Sequence, residues 1–430
     1  MSLLIVGGGA TGLAAAYIAA KRGEQVTLIE SSNRLGGLLT TFEVGGTNLE
    51  CFYHHFFTHD REINWLLHEL NLSSDIRFVE TKMGMYRYRK IHPFTTAKDL
   101  LLFPRLNIFD KLRFGLTSIF LSRQKNWRKY ENISTLDWFY KWAGKAVTDA
   151  IWKPMLKIKF GQYAEEIPLT WMIGRMAQRM KSRSGGKEKL GYLRGSLQRL
   201  VDALEVNLEN LGVKIIKNTS VTEILLHQNK VVGVKTPNGN FTASKTLVTI
   251  PTVYLAKMIP EQFADYRQQL ETIEYFGAIC VVIVTRKALS EIYWLNVGDL
   301  GFEFGGIIEQ TNFVPTEEYQ GLHITYLSRY ATWNEPILHK SDAEIATIFK
   351  NQLISIFPDL EKKGIKEIKV FRTKTAATVC DKNFSRKIPD YKTPIPNLYI
   401  ANMAHLYPDE RSINNSIKIA MDVDTLLKIV

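Results

Sequence analysis

Leu3-Leu4-Ile5-Val6-Gly7-Gly8-Gly9-Ala10-Thr11-Gly12 opens the chain, and its reading decides the fold. Four apolar residues in a row make a short strand that is buried on both faces. Residues 11–22 are Ala-rich and helical, and Gly23 stops them. Residues 25–29 form a second strand, with Glu30 at its end. The first turn carries Gly7-x-Gly9-x-x-Gly12. In that spacing the first glycine permits the tight turn, the second lets the backbone approach a pyrophosphate, and the third lets helix and strand pack closely. The helix N-terminus adds free N–H groups and a partial positive charge, so Ala10 and Thr11 join the glycines as phosphate-side candidates. Glu30, 18 residues after Gly12, can accept from the hydroxyls of an adenosine ribose, and Ser31 stands beside it. A bare glycine triplet is a common turn; strand, triplet, helix, strand and acid in this order are a dinucleotide site.

Outward from this unit comes Arg34-x-Gly36-Gly37-Leu38. A second glycine pair lets another loop approach the dinucleotide, and Arg34 is free to meet phosphate. The combination resembles the large FAD family that includes flavin amine oxidases, protoporphyrinogen oxidase, phytoene desaturases and UDP-galactopyranose mutase. Further matches extend along the chain. Gly191-Tyr192-Leu193-Arg194-Gly195-Ser196-Leu197-Gln198 looks like the segment opening the helix that leads back to the FAD domain. Residues 214–224, with Val221, look like the strands whose backbone contacts the adenine. Leu247-Val248-Thr249-Ile250-Pro251 looks like the strand returning under the cofactor, and Pro396-Asn397-Leu398-Tyr399-Ile400-Ala401 like the closing flavin motif. Two positions depart from the family. Leu38 stands where Arg is frequent, and Asn402 follows Ala401 where Gly and an acid are frequent.

The resemblance implies an α/β fold. An FAD/NAD(P)-binding Rossmann-like domain of the glutathione-reductase type would be assembled from 1–80, 190–252 and 380–430. A discontinuous substrate domain of mixed β-sheet plus helices would use 81–189 and 253–379. It implies FAD as cofactor, with Asn402 bonded to it and Asn414 and Asn415 at a helix N-terminus beside the flavin.

Composition agrees with an ordinary soluble globular protein. Of 430 residues, 45% are hydrophobic and 23% charged, which sets aside disorder, collagen-like repeats and coiled coil. Cys51, Cys280 and Cys380 are too scattered for a disulfide framework, so a reducing, cytoplasmic setting is expected. No targeting segment is expected before the first strand, nor a spanning helix, since no 18-residue apolar stretch exists. The net charge is +12, and its placement is uneven: residues 82–189 hold 23 Lys and Arg against 8 Asp and Glu. Such a segment attracts anions. It reads as helical; within 108–120, Phe109, Leu112, Leu116, Ile119 and Phe120 share one face. It is either a solvated cap or a surface that contacts anionic membrane through 105–130, with Phe114, Phe120 and Trp127 near the headgroups. No nucleic-acid recognition motif accompanies it. Elsewhere the pattern predicts a helix over 60–72, a small mobile loop at 182–186, a helix over 195–211 and strands at 214–217, 221–226, 231–236 and 241–250. A sheet over 276–330, a helix over 342–356, a strand over 397–401 and a helix over 415–429 complete it.

A bound flavin would itself accept hydride, so the protein's part is to position substrate. The run Glu50-Cys51-Phe52-Tyr53-His54-His55-Phe56-Phe57-Thr58-His59-Asp60 places three of nine histidines within six positions. In the family this stretch runs beside the flavin, which makes His55, then His54, the first candidates there. The plainer reading is that they are packing residues whose neutral rings satisfy local backbone groups. No carboxylate or cysteine cluster with ligand spacing accompanies them, so no metal site is expected. Trp294, Asn296, Glu309, Asn312, Tyr326 and Arg329 lie on strands that can roof the flavin, with Tyr326 and Arg329 the catalytic candidates among them. Hydrolase and P-loop motifs are absent. The resemblance implies an FAD-dependent oxidoreductase of dehydrogenase, oxidase or desaturase type. It would take a hydride from a largely apolar, possibly anionic small molecule such as an isoprenoid or tetrapyrrole and pass electrons to oxygen or a quinone. The alternatives are a mutase-like flavoenzyme acting on a nucleotide sugar, which the 52–60 run resembles, and a non-catalytic flavin-binding protein.

Overall fold

The computed structural model describes residues 2–184 and 187–428. At its centre is a five-stranded, wholly parallel sheet. Its order is Lys214–Ile216, Gln25–Ile29, Ser2–Val6, Lys245–Val248 and Leu398–Ile400. Leu3 to Val6 are buried on both faces, as an apolar run in a central parallel strand must be. Helix Ala10–Lys21 packs over the sheet and against the last helix, Ile413–Leu427. Its alanines keep the helix thin enough to be covered on both sides, and Ala14, Ala16 and Ala19 are fully buried. The strand expected over 241–250 is two strands. Gly239–Thr242 ends a three-stranded antiparallel meander, and the chain crosses at 243–244 into the parallel strand Lys245–Val248. Residues 241–248 run on without a glycine or proline to mark a break, so the local pattern does not register the change of sheet.

A second, seven-stranded sheet stands beside it, in the order Ile365–Thr378, Tyr275–Thr285, His323–Ala331, Gly306–Glu309, Trp294–Val297, Met83–Arg87 and Lys90–Pro93. Only the Trp294–Val297 and Met83–Arg87 pairing is parallel. The 11-residue strand Tyr275–Thr285 is its spine. Ile279, Val281 and Ile283 face helix Asp342–Ile356 and its Ile345, Phe349 and Leu353. Cys280, Val282 and Val284 face the core of the dinucleotide half. Period-two alternation thus joins two cores through one strand, and each fully buried Val or Ile contributes about 1.5–3 kcal/mol.

The basic segment supplies helices Ala97–Leu102, Ile108–Ser122, Thr135–Trp142, Lys153–Phe160 and Leu169–Lys181 around their own aromatic core. A π-helical turn, Thr148–Trp152, holds Trp152 stacked between Phe114 and Phe139, at 5.0 and 4.5 Å. No helix among the described residues is long and apolar enough to cross a membrane. Within the stretch expected as a loop at 182–186, Arg183–Ser184 pairs with Lys187 and Glu188; residues 185 and 186 lie outside the described residues, as does 429 of the last predicted helix.

Candidate active site

The Gly7–Gly12 turn lies at the carboxyl end of the central strand, and a cavity of about 410 Å³ opens over it. Gly7, Gly9, Ala10, Thr11, Gly12, Glu30, Gly36, Gly37 and Leu38 line this cavity, all of them expected from sequence. Glu30 is fixed there: its Oε2 accepts from Gly8 N–H at 2.7 Å and its Oε1 from Ser32 N–H at 2.8 Å. The Ala10–Lys21 helix points its N-terminus into the space with neither a side-chain cap nor an acidic residue in its first turn. The Ile413–Leu427 helix also lacks an acid in its first turn, and its N-cap Ser412 lines the cavity from the other end. Two uncancelled helix dipoles therefore converge on one space, an arrangement suited to anionic groups.

The donor set and the shape of this cavity fit FAD. A Cβ placed on Gly9 would meet no atom within 4 Å, because it would project into the cavity. A Cβ on Gly12 would lie 1.9 Å from the Gly7 carbonyl oxygen, so that contact is already as close as backbone allows. The first glycine keeps space for a ligand, and the second closes the turn that holds it.

A second cavity, of about 220 Å³, adjoins the first. His54, Met403, Leu406, Arg411 and Ser412 line both. Its walls are aromatic, including Tyr53, Trp152, Trp171, Phe276, Trp294 and Tyr330. Its charged lining comprises Lys159, Arg175, Arg179 and Arg411 against Asp409 and Glu410. Lys159 Nζ donates to Glu410 at 2.8 Å, Arg175 pairs with the other Glu410 oxygen, and Arg179 pairs with the buried Glu188 at 2.7 Å. Burial alone would raise the Glu410 carboxyl, but Arg175 and Lys159 hold it well below the usual carboxylate range. The cavity therefore keeps an excess of positive charge.

The predicted histidines separate at this point. His54 Nδ1 donates to the Phe52 carbonyl at 2.5 Å, leaving Nε2 as an acceptor at the junction of the two cavities. His55 lines only the aromatic cavity, with Nδ1 3.2 Å from the Tyr293 hydroxyl. Burial, then the Arg411 charge, pushes His54 down to about 3; burial, then Arg179, pushes His55 down to about 4. Both rings are neutral at assay pH. A base with a depressed folded pKa takes up protons preferentially when unfolded, so its contribution to stability falls as pH drops from about 6.5. Asp60 and Glu309, raised by burial to about 6 and about 7, act with the opposite sign. Comparison with a variant isolates the histidine. Wild type is expected to lose melting temperature relative to His54→Gln between pH 7 and pH 5, as read by thermal unfolding in matched buffers.

Other expected residues lie elsewhere. Trp294 and Asn296 line the aromatic cavity. Arg329 does not: Ser328 and Tyr330 face it, so the residue between them points to the opposite side of the sheet, where it pairs with Glu303 and Glu335. Tyr326 is fully buried beneath the 50–60 run, its hydroxyl donating to the Glu50 carbonyl at 2.7 Å. Glu309 accepts from Leu289 and Ser290 N–H, and Asn312 donates to the Ser290 and Ile292 carbonyls; both brace a turn. Arg34 donates to the Thr41 carbonyl, and neither it, Ser31 nor Val221 lines either of these two cavities. Asn402 is buried and donates to the Ile250 carbonyl, Asn414 accepts from Glu62 and Ile63 N–H, and Asn415 donates to the Glu410 carbonyl. These three fix the loops around the Ser412 end of the cavity from behind.

Several lining residues carried no expectation. Thr249, whose hydroxyl lies 3.0 Å from the Val6 and Gly7 carbonyls, sits in a segment the family pattern already marked. Ser412 was visible as a cap three residues before the expected helix at 415. Arg411 and Thr373 reach the site only through long-range packing, and nothing local signals them.

The model of a known family, described as flavin containing amine oxidoreductase, matches residues 10–409. Coproporphyrinogen III oxidase from Staphylococcus aureus (strain NCTC 8325 / PS 47) is 22% identical over 263 residues, covering 53% of this chain and 56% of that protein. The chain thus spans about half the length of the curated relatives it matches. Among solved structures, a protein from Exiguobacterium sp. 255-15, provisionally named a protoporphyrinogen oxidase, aligns with TM-score 0.77 at 18% identity over 99% of this chain and 98% of its own. Reduced UDP-galactopyranose mutase aligns with TM-score 0.75 at 14% identity over 100% and 94%. At these identities the structural likeness establishes the fold alone. With the family model spanning nearly the whole chain and a cavity shaped for the cofactor, the chain belongs to the flavin containing amine oxidoreductase family and is an FAD-dependent oxidoreductase.

Proposed function

We propose that this enzyme oxidises a largely apolar small molecule bearing carboxylates, of the tetrapyrrole (porphyrinogen) class. The observation that carries the reading is the aromatic cavity with its cationic excess, opening onto the dinucleotide cavity at His54 and Arg411. Its curated relatives named coproporphyrinogen III oxidase point the same way. Isoprenoids fit the aromatic walls but leave Arg411, which pairs with no acid among the described residues, without an anionic partner.

Bound FAD supplies the acceptor for a hydride leaving a substrate carbon. Gly9, Gly12 and the Ala10–Lys21 N-terminus would hold its pyrophosphate, Glu30 its ribose, and Ser412 with Ile413 its ring end. The FAD-binding part would use 1–80, 190–252 and 380–430; the substrate part would use 81–189 and 253–379. Tyr53, Trp171 and Tyr330 stack against the substrate, while Arg411 and Arg179 meet its carboxylates. His54 Nε2 is too weakly basic to take a proton, so it accepts a hydrogen bond from a substrate N–H and orients the carbon beside it.

The test is anaerobic. Holoenzyme mixed with coproporphyrinogen III or protoporphyrinogen IX is expected to bleach its flavin absorbance within the dead time of turnover; no bleaching with either overturns the reading. Offering UDP-galactopyranose to the dithionite-reduced protein tests the nucleotide-sugar alternative. Glu410→Gln adds one net positive charge to the cavity. It is expected to lower KM for a carboxylated substrate severalfold while costing about 3 kcal/mol of stability, since Lys159 and Arg175 lose their charged partner and the single amide oxygen can serve only one of them. Steady-state kinetics and thermal unfolding read the two effects.

A further inference from the structure

Helix Ile108–Ser122 turns its apolar stripe to the outside. Ile108, Phe109, Leu112, Leu116, Ile119 and Phe120 fall within an arc of about 120° at 100° per residue, and they are 41–73% exposed. Its inner face is formed by Phe114, Thr117 and Leu121. The stripe continues beyond the helix. Lys111 Nζ donates to the Leu101 carbonyl at 2.6 Å, placing exposed Leu101 and Leu102 beside it, and Arg113 Nε donates to the carbonyl of exposed Trp142 at 3.1 Å. Of the fifteen most exposed large apolar side chains among the described residues, nine lie between 101 and 142. Scattered exposed apolar residues are ordinary; a continuous patch of this kind marks a surface that is covered in use.

The charges around it say by what. Arg105, Arg113, Arg123, Lys125 and Lys141 are exposed along its rim. The nearby Asp99 and Asp110 carboxylates are turned away to cap their own helices, at 2.8 and 3.1 Å from the N-cap N–H groups. An apolar face with a cationic rim matches the boundary between acyl chains and anionic headgroups. We propose that this face docks the enzyme onto an anionic lipid bilayer, with the 101–102 and 108–120 side chains at the acyl boundary and the rim cations on lipid phosphates. A second copy of the chain is the poorer occupant, because two-fold contact would set the rim cations against each other. Phe114, on the inner face of the same helix, stacks on Trp152, a wall residue of the aromatic cavity. The docked face and the substrate cavity therefore share one layer of side chains. The docking does not depend on which substrate is used.

The experiment is cosedimentation of the holoenzyme with vesicles of phosphatidylcholine alone and of phosphatidylcholine mixed with phosphatidylglycerol, paired with velocity sedimentation without lipid. The expected result is a lipid-free monomer that sediments with the anionic vesicles, is released by salt, and binds at least about tenfold more weakly as Leu112→Ser/Leu116→Ser. Arg123→Glu/Lys125→Glu is expected to weaken anionic binding alone, and unchanged flavin spectra report that both variants are folded. Recovery in the supernatant with both vesicle types, equal sedimentation of wild type and both variants, or a lipid-free dimer that Leu112→Ser/Leu116→Ser dissociates would each overturn the proposal.

Discussion

Gly9→Leu is expected to give a folded protein without flavin, whereas Gly12→Val is expected to lose the fold of the dinucleotide half. The two glycines lie three residues apart in one motif, and their surroundings are opposite. Gly9 has φ −75° and ψ −179°, which any residue adopts, and open space where a side chain would go. Leucine there fills the cradle while costing the apoprotein no more than about 1 kcal/mol for a poorer helix N-cap. Flavin affinity falls by at least about a hundredfold, or about 3 kcal/mol, because ligand and side chain compete for the same volume. At Gly12 the added Cβ lies 1.9 Å from the Gly7 carbonyl oxygen and 2.9 Å from the Thr249 hydroxyl. That carbonyl cannot retreat, since it is held between the central strand and the Thr249 hydroxyl. The helix must lift from the sheet, at a cost of more than about 4 kcal/mol. Flavin absorbance after purification and the melting temperature of the apoprotein separate the two; equal flavin retention by both variants would refute the assignment.

Glu50→Ala is expected to destabilise the protein by about 4 kcal/mol, and Glu50→Gln by about 1. Glu50 is fully buried and accepts three hydrogen bonds: from the Tyr192 hydroxyl at 2.5 Å, the Ser196 hydroxyl at 2.8 Å and Leu197 N–H at 2.7 Å. These tie the start of the 50–60 run to the segment that opens helix Gln198–Asn210. Burial raises its pKa, so the carboxyl holds its place through hydrogen bonding more than through charge. Alanine leaves three buried donors without an acceptor. Glutamine keeps an acceptor for Ser196 and Leu197 and offers Tyr192 a donor. Because His54 follows four residues later, the alanine variant is also expected to loosen flavin binding. Denaturant titration reads the first effect and flavin release on dilution the second. Equal losses in the two variants would show that charge, not hydrogen bonding, matters at this position.

The nucleotide cradle was legible because its signals are local: strand, glycines, helix cap and carboxylate fall within thirty residues and each has one mechanical reason to be there. The second sheet was legible as strands but not as faces. Arg329 follows a residue that lines the cavity and so points away from it, and a run with apolar residues on both faces offers no parity to read. The stripe on 108–120 shows a related gap. Its spacing specified which residues share a face, but periodicity carries no sign, and only the packing of Phe114 and Leu121 shows that the stripe looks outward. Arg411 and Lys159 come together through Glu410 from segments about 250 residues apart, a meeting that no window of sequence contains.

The dinucleotide cavity draws its walls from residues 7–12, 249–251 and 403–416, and the strand at one edge of its sheet is Leu398–Ile400. On the ribosome, the glycine cradle therefore emerges long before the helix that faces it. Cofactor loading must wait for synthesis of helix Ile413–Leu427. Yellow colour in a preparation thus reports that the segments 7–12 and 403–416 are both in place.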